Sequence, residues 1–273
     1  MPQSAVETAN AALSKLGSNK FIATLGDGAT ESIAVNDRLD ICKRALLRMH
    51  PWNFAIKRKS LDAVWIAISN VVNNGSGLCR VTSAAHNRAT GDRVTIEGVT
   101  GTPGNGTWVV TVINQTTLDL VDSVFSGTYV ASATDQLTQA AIFDYEYVLA
   151  LPADLLRVYR VDDLVYDVDY RVEGRTIISH SEPVELRYIY DVTDYTAMDI
   201  LFYECLAAYL AWDISYRITQ SSTLKQQLWD DLFNPRTGIL PKGRFIDATE
   251  DPNQKLEAEE WIQSRGSAVS TWV

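Results

Sequence analysis

The stretch from residue 64 to residue 136 differs so much from its surroundings that it limits how the whole chain can fold. Charged residues are scarce in it, and Thr, Val, Gly and Asn dominate. Apolar residues alternate with polar ones through Val94 and Ile96, and again through Trp108 and Val110, which is the period of a half-buried β-strand. Turn residues separate these runs in the segments GTPGNG and NQTT. The pattern predicts a small all-β module of several short strands.

The sequence on either side of this module has a different composition. Before it the chain is charged and helical in pattern, and after it the chain is rich in aromatic residues. We therefore expect residues 64–136 to be inserted into a host domain built from residues 1–63 and 137–235, followed by a C-terminal arm over residues 236–273. A surface loop accepts such an insertion at small entropic cost, provided that the ends of the module lie close together.

The host segments predict an α+β fold class with a helical-bundle core, an antiparallel β part and the inserted all-β module. Strand-like runs alternate between residues 156 and 190, as in an antiparallel meander. After Asp191 the chain turns helical, with Asp194 or Thr196 as the N-cap of a long apolar helix that we expect at the centre of the bundle. Residues 234–255 have Gly and Pro at intervals and are predicted to form a loop or an extended arm.

The segment RMHPWNFAIKRKSL predicts a structural corner. A helix expected from Glu31 to His50 meets Pro51, and the residue before a proline disfavours helical geometry. In an extended chain Trp52 and Phe54 then point the same way, so we expect Pro51, Trp52 and Phe54 to anchor the core beneath the corner. The basic run that follows, residues 57–59, is predicted to be a solvated strand edge, with a contact to the acidic rim of a partner as the alternative.

The sequence offers no pattern for a catalytic, cofactor or metal site. His50, His86 and His180 lack the spacings of metal-binding histidines. The three cysteines have no CxxC spacing, which predicts buried free thiols rather than a zinc site. The segment LGDGAT contains GxG but does not continue into a phosphate-binding or dinucleotide-binding pattern. We therefore predict that the chain is not an enzyme and has no catalytic residue, metal or cofactor.

The net charge limits the partners. The chain carries 24 Lys and Arg against 34 Asp and Glu, a formal charge of −10. This balance opposes tight binding to a nucleic-acid backbone, which needs clustered positive charge, and suits DNA that passes by without being captured. No apolar run approaches the roughly 18 residues of a membrane span. We expect no membrane partner and reduced cysteines, as in the cytoplasm.

Three segments together resemble one known family. The segments RALLRMHPWNFAIKRKSL, LALPADLLRVYRVD and VEGRTIISHSEPVELRYIYDVTDYTAMDILFYECLAAYLAWDIS are similar to the tail tubular protein A family of tailed bacteriophages, which are head-to-tail adaptor (connector) proteins. The resemblance covers roughly residues 1–62 and 137–235. It implies a structural virion protein, assembled in the host cytoplasm, that forms a ring of twelve copies. The ring would lie beneath the portal protein, carry the tail nozzle or tube protein, and let DNA pass through its channel during genome ejection.

The sequence departs from the family pattern in the inserted module. The family connects the corner to the LPAD segment far more briefly, and residues 64–136 look like small β-barrel modules of phage structural proteins. We expect this module to project outward and to contact tail fibres, a tailspike or a neighbouring subunit. In the C-terminal arm, Trp261, Ile262, Trp272 and Val273 are large apolar residues in a polar stretch. They are predicted to anchor the arm on the portal or on an adjacent subunit.

Two other functions compete with the adaptor. A tail-associated hydrolase would need a pair of carboxylates facing each other across a cleft, and no sequence feature points to one. A host-glycan-binding protein would depend on residues 64–136 alone.

Overall fold

A computed structural model describes residues 4–162 and 169–250 of the chain. These residues divide into two compact units, which are described separately. The helical unit contains residues 4–55 and 192–250, and the β unit contains residues 56–162 and 169–191. The helices of the first unit are α1 (Ala5–Lys15), α2 (Thr30–Met49), α3 (Ile200–Thr219), α4 (Ser222–Phe233) and α5 (Ile239–Glu250).

The β unit is built from antiparallel strands. In chain order they are β1 (Ile56–Leu61), β2 (Ile66–Asn73), β3 (Cys79–Ser83), β4 (Arg93–Glu97), β5 (Gly106–Asn114), β6 (Thr117–Leu120), β7 (Gln136–Ala140), β8 (Tyr147–Ala150), β9 (Leu155–Val161), β10 (Tyr170–Glu173), β11 (Thr176–Ser179) and β12 (Val184–Tyr190). They form a sheet of order β1-β12-β9, a sheet of order β10-β11-β8, and a closed barrel of order β2-β3-β6-β5-β4-β7.

The predicted helical-bundle core is wrong, because the described chain is a strand-rich mixed α+β protein with five helices and a closed six-stranded barrel. The strands outside the barrel form two three-stranded antiparallel sheets. They bury a core of their own that includes Leu61, Leu149, Ile177 and Leu186, and every member of this core belongs to the β unit. Apolar residues on these short strands therefore pack against one another.

The segment predicted to be inserted, residues 64–136, forms most of the closed barrel, whose last strand β7 continues to Ala140 beyond the predicted boundary. Strand β7 closes it by pairing on both sides, because Leu137 is the register partner of Ile66 on β2 and of Ile96 on β4. Closure removes the unpaired edges that an open sheet would expose. The inward-facing residues of the alternating runs, among them Val94, Ile96 and Val110, are almost completely buried.

Side-chain N-caps begin three of the described helices, α1, α3 and α4. Ser4, with Glu7 three residues later, predicts the N-cap of α1, and the Ser4 side chain does accept a hydrogen bond from the Glu7 amide at 3.1 Å. For α3 the expected cap is wrong. Asp194 caps a 3₁₀ turn at Tyr195–Ala197, and Asp199 caps α3 by accepting from the Leu201 amide at 2.7 Å. The buried, extended Met198 interrupts the helical backbone between the two caps.

The region predicted as loop or extended arm contains α5. Pro241 is the third residue of this helix, where a missing amide hydrogen removes no intrahelical bond. Gly243 lies inside the helix, where the ideal Cβ of a larger residue would stand 3.4 Å from the Cys205 sulfur and 3.5 Å from the Trp52 ring. The proline and glycine that suggest a loop are therefore compatible with a helix packed closely on α3.

A buried carboxylate links two neighbouring barrel strands. Arg80 on β3 and Asp119 on β6 are register partners, and the guanidinium donates to both carboxylate oxygens at 2.6 and 2.9 Å. Asn74 donates a third hydrogen bond at 3.1 Å. The hydrogen bond from Arg80 lowers the pKa of Asp119 below its ordinary value. A carboxyl group with a lowered folded-state pKa stabilises the fold above its unfolded pKa, and that stabilisation is lost as the pH falls through the folded pKa.

We expect Asp119→Asn to lower the free energy of unfolding by about 1–3 kcal/mol at pH 7, because a charged, bidentate partner of Arg80 is lost. The difference between variant and wild type should shrink below about pH 4, where the unfolded carboxyl begins to protonate. Urea unfolding of both proteins at pH 7 and pH 3 measures it. Asp122→Asn, an exposed position in the next turn, is the control, and an Asp119→Asn difference that is equal at both pH values contradicts the assignment.

Candidate interaction surfaces

The predicted corner lies in the core of the helical unit. Trp52 is completely buried, and its indole nitrogen donates to the Leu46 carbonyl oxygen of α2 at 3.2 Å. Phe202 of α3 meets Trp52 and Phe54 edge-on, with ring centroids 5.2 and 5.0 Å away. The chain after Pro51 is not extended as predicted, since Asn53–Ala55 form a 3₁₀ turn. The turn lets both rings reach Phe202, so these residues stabilise the core of the helical unit.

A histidine and an aspartate meet beside this corner. The His50 Nε2 atom lies 2.9 Å from an Asp247 oxygen, and the other oxygen accepts from the Asn53 amide at 3.0 Å. The Asn53 side chain in turn donates to the Asp247 carbonyl oxygen at 2.7 Å, and the His50 ring stands edge-on to Trp52 at 4.9 Å. The pair therefore fastens the corner to α5. Sequence reasoning missed Asp247, because it lies 197 residues from His50 in a stretch predicted to be loop.

Large apolar side chains are exposed over much of the helical unit. Ile33 and Ile41 lie two turns apart on α2, with Asp37 between them paired to Arg217 of α3 at 2.8 Å. Phe245 on α5 is 71% exposed. The full set of exposed large apolar residues in this unit is Phe21, Ile33, Ile41, Met49, Ile200, Tyr216, Trp229, Phe245 and Ile246. Single exposed apolar residues are ordinary. The described β unit also exposes ten large apolar residues, so both units, and not the helical unit alone, present apolar surface that other chains can cover.

The β unit carries a row of arginines across the β1-β12-β9 sheet. Arg58 is the register partner of Arg187, which is also the register partner of Arg160. These residues line a cleft of about 310 Å³ together with Asp162 and Glu185. Like charges directly opposite one another destabilise a sheet, but acidic groups border this row, and Arg160 and Arg187 each make a further interaction within the structure. The sequence contains these arginines, but it does not show the strand register that aligns them.

Part of the basic run on β1 also makes contacts within the chain. Lys57 forms an ion pair with Asp154 at 2.8 Å, and its ammonium group lies 3.8 Å from the centroid of the Tyr190 ring. The asparagine- and threonine-rich barrel also exposes large apolar side chains, among them Val124, Val130, and Val109 and Ile113 on the outer face of β5. The Trp108 side chain of that strand turns inward, and its indole nitrogen donates to the Gly104 carbonyl oxygen at 3.0 Å.

The remaining predictions concern the C-terminal anchors, metal binding and membrane-spanning helices. Trp261, Ile262, Trp272 and Val273 lie outside the described residues, so their role as interface anchors stays a prediction. Within residues 4–162 and 169–250, no three His, Cys, Asp or Glu side chains are grouped so that they would hold a metal ion. No helix in the same residues has the length and apolar character to cross a membrane.

Comparison with known proteins gives no identification. No protein-family model matches the chain, and no curated protein matches it either.

Proposed function

We propose that this chain is a structural subunit of a bacteriophage head-to-tail adaptor. It would form a ring, of twelve copies by the family resemblance, between the portal protein and the tail nozzle or tube protein. The observation that carries the proposal is the exposed large apolar surface on both described units, which on the helical unit includes members of four helices. A ring subunit buries two different faces against its two neighbours and further surface against the proteins above and below.

The residues that carry the family resemblance support a structural role. Trp52 of the PWNFA segment is completely buried and hydrogen-bonded in the core. Leu186 and Ile189 of the ELRYIY segment are buried on β12. Phe202 of the long helix is the ring on which the corner packs. These groups hold the fold together.

The charge distribution supports passage of DNA without capture. The chain has a net charge of −10, and the arginine row lies beside Asp162 and Glu185 in the same cleft. Neutralising several phosphates would require basic groups that are free of acidic neighbours. We assign the barrel formed by β2 to β7 to contacts with tail fibres, a tailspike or a neighbouring subunit.

The test compares the mass of the purified protein alone with its mass after mixing with the portal protein of the same phage. We expect a ring on the portal, whatever the state of the free protein. Ile33→Glu with Ile41→Glu should lower the yield of portal-bound rings by more than about tenfold, because each buried, unpaired carboxylate costs several kcal/mol. Both positions are exposed in the single chain, so the variant should fold normally.

Val172→Glu is the matched control, because it places the same charge on an exposed apolar position of the β unit outside the barrel. It should leave assembly on the portal unchanged. If the wild-type protein forms no complex with the portal, the adaptor proposal is wrong. If the α2 double variant assembles as well as the control, the helical face does not form the interface.

A further inference from the structure

The helical unit contains an aromatic groove between α3 and α4. Trp212 and Trp229 pack against each other in its wall, with ring centroids 5.1 Å apart and planes tilted by 55°, and Tyr216 forms part of the same wall. The groove has a volume of about 330 Å³, and its lining residues are Trp212, Tyr216, Ser222, Lys225, Gln226 and Trp229. Behind it Trp229 packs on Phe233 at 4.1 Å. Trp229 and Tyr216 are both exposed, so this aromatic surface is open to a further ring.

The groove also carries one positive charge. The Lys225 ammonium group lies 5.3 Å from the centroid of the Trp212 ring, a cation–π geometry. No carboxylate lies within ion-pair distance of Lys225 in the part of the chain that the structure describes. A matching occupant therefore presents an aromatic side chain together with a neighbouring carboxylate.

We propose that the occupant is the C-terminal segment of the same chain, which inserts Trp261 into the aromatic groove. This segment, residues 251–273, contains the sequence EAEEWIQSRG, in which Glu259 and Glu260 directly precede Trp261. The tryptophan supplies the ring and the two glutamates supply the charge complementary to Lys225. Trp272 and Val273 then remain available for another virion protein.

The distance from the end of α5 permits this contact. Gly243 of α5 lies beside Cys205, and α5 begins next to the end of α4, so α5 runs antiparallel to α3. At 1.5 Å per residue, Glu250 lies roughly 10 Å beyond the level of Cys205, and the groove lies roughly 14 Å from that level in the opposite direction. The ten residues between Glu250 and Trp261 span up to about 33 Å when extended, which exceeds the sum of these distances.

A disulfide-trapping experiment on the full-length protein tests the contact without any partner. Gln226→Cys places a thiol in the groove and Gln263→Cys places one beside Trp261. The native cysteines are buried, and burial raises the pKa of the Cys42 and Cys205 thiols to about 12, so they react slowly with mild oxidants at pH 8. We expect a disulfide within single chains, visible as a faster-migrating monomer on non-reducing electrophoresis.

Two further variants make the result specific. Trp261→Ala in the double-cysteine background should lower the yield of this disulfide by more than about fivefold, because an aromatic anchor is lost. Lys225→Glu should also lower the disulfide yield. Adding Glu260→Lys to that variant should restore the yield, because the two opposite charges are then exchanged. The control places the first cysteine at Asn19, in the exposed loop after α1.

Three outcomes overturn the proposal. The first is a disulfide yield no greater than that of the Asn19 control. The second is a yield that Trp261→Ala leaves unchanged. The third is a product that consists of linked pairs of chains, which assigns the segment to a neighbouring copy. Because the measurement uses the purified protein alone, its failure is distinguishable from failure of the adaptor proposal, which requires the portal.

Discussion

Replacing Trp52 with Ala is expected to lower the free energy of unfolding of the helical unit by about 3–5 kcal/mol, the range for removing a large buried ring. The side chain is completely buried, packs edge-on against Phe202 and touches the position where α5 has Gly243. Its removal leaves a cavity at the point where α2, the 3₁₀ turn, α3 and α5 meet. It also leaves the Leu46 carbonyl oxygen without the indole hydrogen bond.

Denaturant unfolding followed by far-UV circular dichroism measures this effect, since the helices are confined to one unit of the described chain. Trp52→Phe keeps most of the ring but removes the indole donor, and should cost about 1–3 kcal/mol. Phe245→Ala removes an aromatic ring that is 71% exposed in the same unit, and should change stability by less than about 1 kcal/mol. If Trp52→Ala lowers the free energy of unfolding as little as Phe245→Ala does, Trp52 does not stabilise the core of the helical unit.

The features that the sequence predicts well are those with a local cause. Ser4 caps α1 because its hydroxyl reaches an amide three residues away. The second helix ends just before Pro51, because the geometry of the preceding residue is restricted. Strands β4 and β5 follow the alternation through Val94, Ile96 and Val110, whose side chains all point into the barrel. In each case the information lies within a few residues of the feature.

The features that the sequence does not predict depend on distant residues. His50 directly follows α2 and Asp247 lies on α5. The sequence around each residue gives no sign that the two are paired. The arginine row exists only once β1, β12 and β9 are paired in register. Pro241 and Gly243 make the sequence of α5 resemble a loop. Only the structure shows that Gly243 lies in a helix packed against Trp52. Tertiary packing also explains why the predicted helical-bundle core is wrong. The strands of residues 147–190 bury apolar side chains in a core of their own.

The second large effect is expected in the barrel, where Gly98→Ala should lower the free energy of unfolding by more than about 3 kcal/mol. Gly98 directly follows β4 and has φ of +82°, a conformation that costs an L-residue roughly 1–2 kcal/mol. In addition, a Cβ atom at this position would overlap the carbonyl oxygen of Thr134 and stand 3.0 Å from the Asp135 amide nitrogen. Both neighbours are backbone atoms just before β7, so relief of the overlap requires movement of a strand that closes the barrel.

Gly75→Ala separates the two contributions, because Gly75 has φ of +93° and no atom within 4 Å of an added Cβ. It should cost only the conformational part, roughly 1–2 kcal/mol. Thermal and urea unfolding of the two variants and the wild type, measured side by side, give the difference. If the two alanine variants are equally stable, the backbone before β7 yields easily, and the barrel is not the rigid closed module that the strand pairing of β7 with β2 and β4 implies. A clearly less stable Gly98 variant instead means that close backbone packing at this turn helps to keep the barrel closed.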